Sequence, residues 1–230
     1  MLPIMTFDPA QLSPSLGYVF DPKWLDPFES VVGMLWKFAR ANGVAGHIVV
    51  GQLTDKPVDV YGGVAPTVAE IAVPRISRLL GVRQQALRDG LEQGTGYRWN
   101  RQNLTWCRSC LRRGYHAIVH QRGRQICADH HEPLQDRCLH CGFENPYRLT
   151  ARLFDAPFRC PDCRRPYAGS VWYATRPRVV KPDLRIAMTR AFLTADQSGG
   201  ICFAQDNLEV LSRRCQSGDR AVPNCLSGVP

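Results

Sequence analysis

No stretch of the chain approaches the roughly 20 consecutive apolar residues that a helix needs to cross a bilayer, so no membrane-spanning helix is expected. The opening residues, Met1 to Phe7, hold neither the basic segment nor the apolar run of a secretory leader. The thiols are therefore expected to meet a reducing compartment, where they stay free for metal rather than pairing as disulfides. The expected location is the bacterial cytoplasm, at the nucleoid. There is no Gly-x4-Gly-Lys phosphate loop and no Gly-x-Ser-x-Gly nucleophile elbow. ATP hydrolysis, where it is relevant, would belong to a partner. Lysine is absent between residues 101 and 170, where twelve arginines stand against six acidic residues.

What the chain does have is ligand pairs. Seven of its ten cysteines and one histidine fall in four pairs, each with two residues between the donors. They are Cys107 and Cys110, Cys127 and His130, Cys138 and Cys141, Cys160 and Cys163. One tight turn can present two such side chains to an ion, and a tetrahedral zinc site takes two pairs. Sulfur and imidazole donors favour zinc over magnesium or calcium. Two zinc ions are expected. Neither site would keep an open position for water, which is the arrangement of a structural rather than a catalytic centre. Such an ion contributes folding free energy directly, on the order of 10 kcal/mol per site. Spacing leaves two pairings open: sequential, or first with third and second with fourth. Cys202, Cys215 and Cys225 form no pair and are expected to be ordinary thiols.

The formal charge of +9 is unevenly spread. Residues 1–100 are neutral, with nine basic and nine acidic side chains, whereas residues 171–230 carry eight and five. In the ligand-bearing window, seven thiolates and two zinc ions would reduce the formal charge to about +3. An all-arginine basic surface suits phosphate, which guanidinium groups grip bidentately. Arg112, Arg113, Arg122 and Arg124 are the candidates near the ligands. The basic run holding Arg176, Arg178 and Lys181 reads as a linker along a phosphate backbone.

The expected fold is mainly α with small zinc-finger knuckles, divided into a helical domain over 1–100, tandem fingers over 101–170 and a short helical region over 171–230. A helix is predicted from Asp26, as cap, with Pro27 in its first turn and Asn42-Gly43 as its stop. Its apolar stripe is Phe28, Val31, Val32, Leu35, Phe38 and Ala39. Residues 44–66 read as turns. Thr67 is expected to cap a short helix through Val73, and Pro74 to break it or open the next. Gly81-Val82 makes a turn before a helix over Arg83 to Leu91. That outline is a helix-turn-helix, with Arg83, Gln84 and Arg88 as candidates to reach base edges. Shorter helices are expected over 183–194 and 206–214. Trp106 and Tyr115 are expected to pack over a zinc site.

The order Cys107-x2-Cys110-Leu111, Gly114-Tyr115, Cys127-x2-His130-x2-Pro133-Leu134, Cys138-x2-Cys141-Gly142 resembles the TniQ/TnsD family. The helix running from Phe28-Glu29-Ser30 to Ala41-Asn42-Gly43 is similar to that family's opening segment. Leu79-Leu80-Gly81-Val82 to Leu87 sits where the family has a helical pair. The resemblance covers roughly residues 20 to 170. It implies a non-catalytic role in transposition: recognition of target DNA for cut-and-paste or CRISPR-associated transposons. It also implies contact with an AAA+ ATPase regulator of the TnsC/TniB kind, which recruits the transposase. A guide-RNA effector complex and a homodimer complete the set of expected partners.

Two catalytic outlines compete. Asp129-His130-His131-Glu132-Pro133 matches the core of HNH-type nucleases, but Cys138 arrives too soon for the rest of that motif. A histidine that ligates zinc also cannot serve as base. His130-His131-Glu132 with Cys160 and Cys163 echoes the zinc deaminases, but would strand the other ligands. A zinc-finger transcription regulator is the remaining alternative.

Overall fold

The computed structural model describes residues 18–91, 103–121, 124–169 and 186–187. Six α-helices lie in these stretches: α1 Val31–Asn42, α2 Gly46–Gln52, α3 Val73–Leu80, α4 Gln84–Asp89, α5 Arg108–Arg112 and α6 Ala151–Phe154. Among the described residues β structure is limited to isolated antiparallel bridges. Of the helices expected after residue 171, only Ile186 and Ala187 fall within the described stretches, and both are helical.

α1 is the central element. Every residue from Val31 to Ala39 is buried, so the helix is enclosed on all sides rather than along one stripe. Even Lys37 is inside, where its ammonium donates to Glu29 Oε2 at 2.7 Å and to the carbonyl of Trp24. The cap differs from the expectation. Ser30, not Asp26, closes the N-terminus, its Oγ accepting from Gly33 N at 3.1 Å. Residues 26–29 form a turn instead, with Phe28 at φ 57° and Glu29 N donating to Asp26 O. That turn is drawn away from the helix axis because Phe28 O accepts from Ile118 N at 2.9 Å. The stop is as the sequence indicates, with Gly43 left-handed at φ 60°. Asn42 reaches back to Val19, its amide donating to the carbonyl at 2.8 Å and its oxygen accepting from the N–H at 2.7 Å.

The turn region expected over 44–66 contains a helix, α2. It has no capping side chain, and its first residue is glycine. Packing explains it. A Cβ on Gly46 would lie 1.9 Å from the carbonyl oxygen of Ala151 in α6. Gly46 N also donates to Asp155 Oδ1 at 2.6 Å. Thr67 caps only a turn, through Glu70 N at 3.3 Å, and no helix runs from it to Val73. Pro74 opens α3, and Gly81 ends it in the left-handed region. α4 follows after Val82 and Arg83, shorter than the expected span to Leu91.

One hydrophobic cluster runs across residue 100. It joins α1, α2, α3 and Leu87 to Leu104, Trp106, Leu149, Leu153, Phe154 and Tyr167. Trp36 is its hub. The indole packs on Phe158 at 5.0 Å and near His116 at 5.8 Å, and Nε1 donates to Leu153 O at 3.1 Å. Trp106 lies 4.1 Å from Tyr167, ring centre to ring centre.

Candidate metal centres

Three of the four ligand pairs sit on one repeated backbone turn. The amide of the first cysteine donates to the carbonyl five residues on, and its carbonyl accepts the amide four residues on. The pairs are Cys127 with Glu132 and His131, Cys138 with Phe143 and Gly142, and Cys160 with Arg165 and Arg164, all at 2.8–3.0 Å. Antiparallel bridges flank each turn: Ile126 with Pro133, Arg137 with Glu144, Arg159 with Pro166. The residue four on is always left-handed, at φ 54° for His131, 74° for Gly142 and 60° for Arg164. Only Gly142 avoids the cost of about 1–2 kcal/mol that a Cβ meets there. The remaining pair is helical. Cys107 caps α5, its Sγ accepting from Cys110 N at 3.5 Å.

These turns bring the eight donors into two groups in sequential order. Cys107, Cys110, Cys127 and His130 form one, and Cys138, Cys141, Cys160 and Cys163 the other. Within each group all ligand atoms lie within 4.8 Å of one another. The interleaved pairing is therefore not the one adopted. In the first group, Cys110 Sγ and Cys127 Sγ are 3.6 Å apart, and His130 Nδ1 is 3.3–3.7 Å from the three sulfurs. In the second, Cys138 to Cys163 and Cys141 to Cys160 each measure 3.7 Å. A disulfide would need about 2.05 Å, and among the described cysteines there is none. Two sulfurs bound to one tetrahedral zinc stand about 3.8 Å apart. Each group can thus hold a single metal ion. Cys202, Cys215 and Cys225 lie outside the described residues.

The donors of the first group perturb one another's titration. Burial pushes the Cys110 thiol well up, and neighbouring thiols add to this. Burial works against charge on His130 as well, yet the sulfurs of Cys107 and Cys127 hold its pKa up at about 10. Beside them, Glu132 Oε2 lies 3.7 Å from Cys107 Sγ, and Ser109 Oγ donates to Glu132 Oε1 at 2.7 Å. This clamp joins α5 to the facing turn, and nothing in the ligand spacing announces it.

The first group is tied to α1 by a buried histidine. Burial, then His120, push the pKa of His116 down to about 3, so its ring is neutral. The ring accepts from Ser30 Oγ through Nδ1 at 2.6 Å and donates through Nε2 to Thr105 O at 2.8 Å. Ser30 N donates to His116 O at 2.7 Å. Tyr115 adds a bond from its hydroxyl to Pro27 O at 2.9 Å. Tyr115 belongs to the apolar cluster around Cys107, Cys110 and Cys127, while Trp106 packs in the main core.

The basic candidates are scattered. Arg83, Gln84 and Arg88 are exposed at α4. Arg112, Arg113 and Arg124 are half-buried. Arg112 Nε and Arg113 Nη1 are buried without a hydrogen-bond partner. Arg122, Arg176, Arg178 and Lys181 lie outside the described residues. Arg159 and Arg164, which flank the Cys160–Cys163 turn, and Arg40, in α1, are exposed, and no sequence motif singles them out. Among the described residues no helix is long and apolar enough to cross a membrane. No protein-family model matches the chain, and no curated protein matches it.

Proposed function

We propose that this chain is a non-catalytic DNA-engaging adaptor of the TniQ/TnsD kind, with zinc in both centres. In this reading it recognises target DNA and recruits an AAA+ transposition regulator. The observation that carries the proposal is the pair of complete four-donor groups in a window, residues 101–170, that holds twelve arginines and no lysine. Cysteine and histidine donors with these separations suit zinc, and a full ligand set suits a structural ion. When bound, zinc supplies rigidity to the turns. The arginines then meet phosphate, and the exposed side chains at α4 are available to base edges. α3 and α4 serve as the helix-turn-helix of this reading. His130 stands in the first donor group, which argues against its use as the base of an HNH-type nuclease.

The zinc-loaded chain is expected to bind duplex DNA with a steep salt dependence, log K falling by about 0.9 per phosphate contact for each tenfold rise in salt. Fluorescence anisotropy across a salt series measures this. No binding at low salt would remove direct DNA contact and leave a pure protein adaptor. Metal analysis is expected to give two zinc ions per chain. Magnesium- or manganese-dependent nicking of plasmid, lost on His131→Ala, would favour a nuclease instead. Co-purification with an AAA+ regulator tests the recruitment half.

A further inference from the structure

The arginines that best fit a phosphate backbone are not the ones beside the first ligand group. Arg40 is the exposed residue at the C-terminal end of the buried part of α1. One turn earlier Trp36 packs on Phe158, which places the same face of α1 against the approach to the last metal turn. Arg159 follows directly. Although the residue is exposed, its side chain is partly covered, and that burial first, then the like charge of Arg159, holds the Arg40 guanidinium below its ordinary pKa. No carboxylate contributes to that balance. Arg159 Nη1 donates to the carbonyl of Arg164 at 3.2 Å, and Arg164 Nη1 donates to that of Asp155 at 2.9 Å. Both guanidinium groups are thus held by backbone, with donors left over.

The nearby carboxylates form no ion pair with these arginines. Asp155 Oδ1 accepts from Gly46 N at 2.6 Å, and Asp162 pairs with Arg152 at 3.7 Å. Among the described residues none of Arg40, Arg159 and Arg164 forms a salt bridge. Arg164 also occupies, at φ 60°, the left-handed position that Gly142 fills in the preceding turn.

We propose that Arg40, Arg159 and Arg164 form one phosphate-binding surface, spanning the end of α1 and the last metal turn, that takes the backbone of duplex DNA. The proposal rests on the DNA-engaging reading above. Duplex is favoured over single strand because single-strand sites use exposed aromatic faces for base stacking. Here Phe158 is packed against Trp36 and Tyr167 is buried. The competing use of these arginines is to offset the negative charge of four thiolates around one metal ion. That use predicts metal loss on substitution, with DNA binding following only as a consequence.

The test compares zinc-loaded full-length variants for binding to a fluorescent random-sequence duplex, with metal content and thermal melting followed in parallel. Arg40→Gln with Arg159→Gln is expected to weaken binding about tenfold or more at moderate salt and to lower the salt slope by about 2. Zinc content and melting should stay unchanged. Arg40→Lys with Arg159→Lys should restore the slope. Arg40→Gln alone, which breaks no hydrogen bond among the described residues, should lower it by about 1 and covers the case where the double variant misfolds. Unchanged affinity and slope in both Gln variants, with wild type binding normally, would overturn this surface and leave the adaptor reading standing. Zinc loss from the Arg40→Gln single variant would overturn it in favour of charge balance. Tighter binding to a single strand of the same length would overturn the commitment to duplex. Failure of wild type to bind any DNA would remove the broader reading as well.

Discussion

Cys107, Cys110 and Cys127 are all buried, whereas the second centre leaves Cys141 exposed and Cys163 half-exposed. The enclosed centre organises a satellite cluster of its own, from Tyr115, Ala117, Ile118, Val119 and Ala128, and is joined to α1 by polar bonds. The open centre shares Cys138 and Cys160 with the main hydrophobic core, alongside Trp106 and Tyr167. Access and dependence therefore run in opposite directions. A small satellite has little apolar area to hold it once the ion leaves. The main core has Trp36, Phe38, Leu35 and Phe154, among others, to fall back on.

Removing metal should have the largest effect, on the order of 10 kcal/mol of folding free energy per site. With a chromophoric chelator, release is expected in two phases, the Cys138–Cys163 centre first, followed by cooperative loss of helical circular dichroism. A single phase would erase the distinction between the centres. Alkylation of the metal-loaded chain should modify Cys141 before any other described ligand, which peptide mass spectrometry can establish. Trp36→Ala should cost about 3–5 kcal/mol in denaturant unfolding, because the indole touches the surroundings of both centres. Ser30→Ala should cost about 1 kcal/mol through the lost cap. It should also speed metal release from the enclosed centre while leaving the open one unchanged. An effect comparable to that of Ser30→Ala is expected at a left-handed turn position. Gly142→Ala should destabilise by about 1–2 kcal/mol, read as a fall in melting temperature.

The sequence makes the donors visible because metal ligation fixes both residue type and spacing. It also marks the body of α1, the Gly43 stop and the α3–Gly81–α4 outline, where apolar period and glycine agree. α2 escapes such reading. Its two glycines and missing cap argue against a helix locally, and only the approach of α6 more than a hundred residues later explains Gly46. Ser30 was hidden behind an equally good local candidate, Asp26, and the decision lies with His116, 86 residues away. A core that crosses residue 100 is likewise invisible to composition, since the change from neutral to basic reports the surface and not the interior. That Arg159 bears on Arg40 is equally hidden until Trp36 and Phe158 are packed together.

The bond from the Trp36 indole to the carbonyl of Leu153 spans 117 residues. During synthesis the α1 segment leaves the ribosome before its partners His116 and Leu153 and the ligand-bearing turns exist. Its burial must wait until nearly the whole described region has been translated.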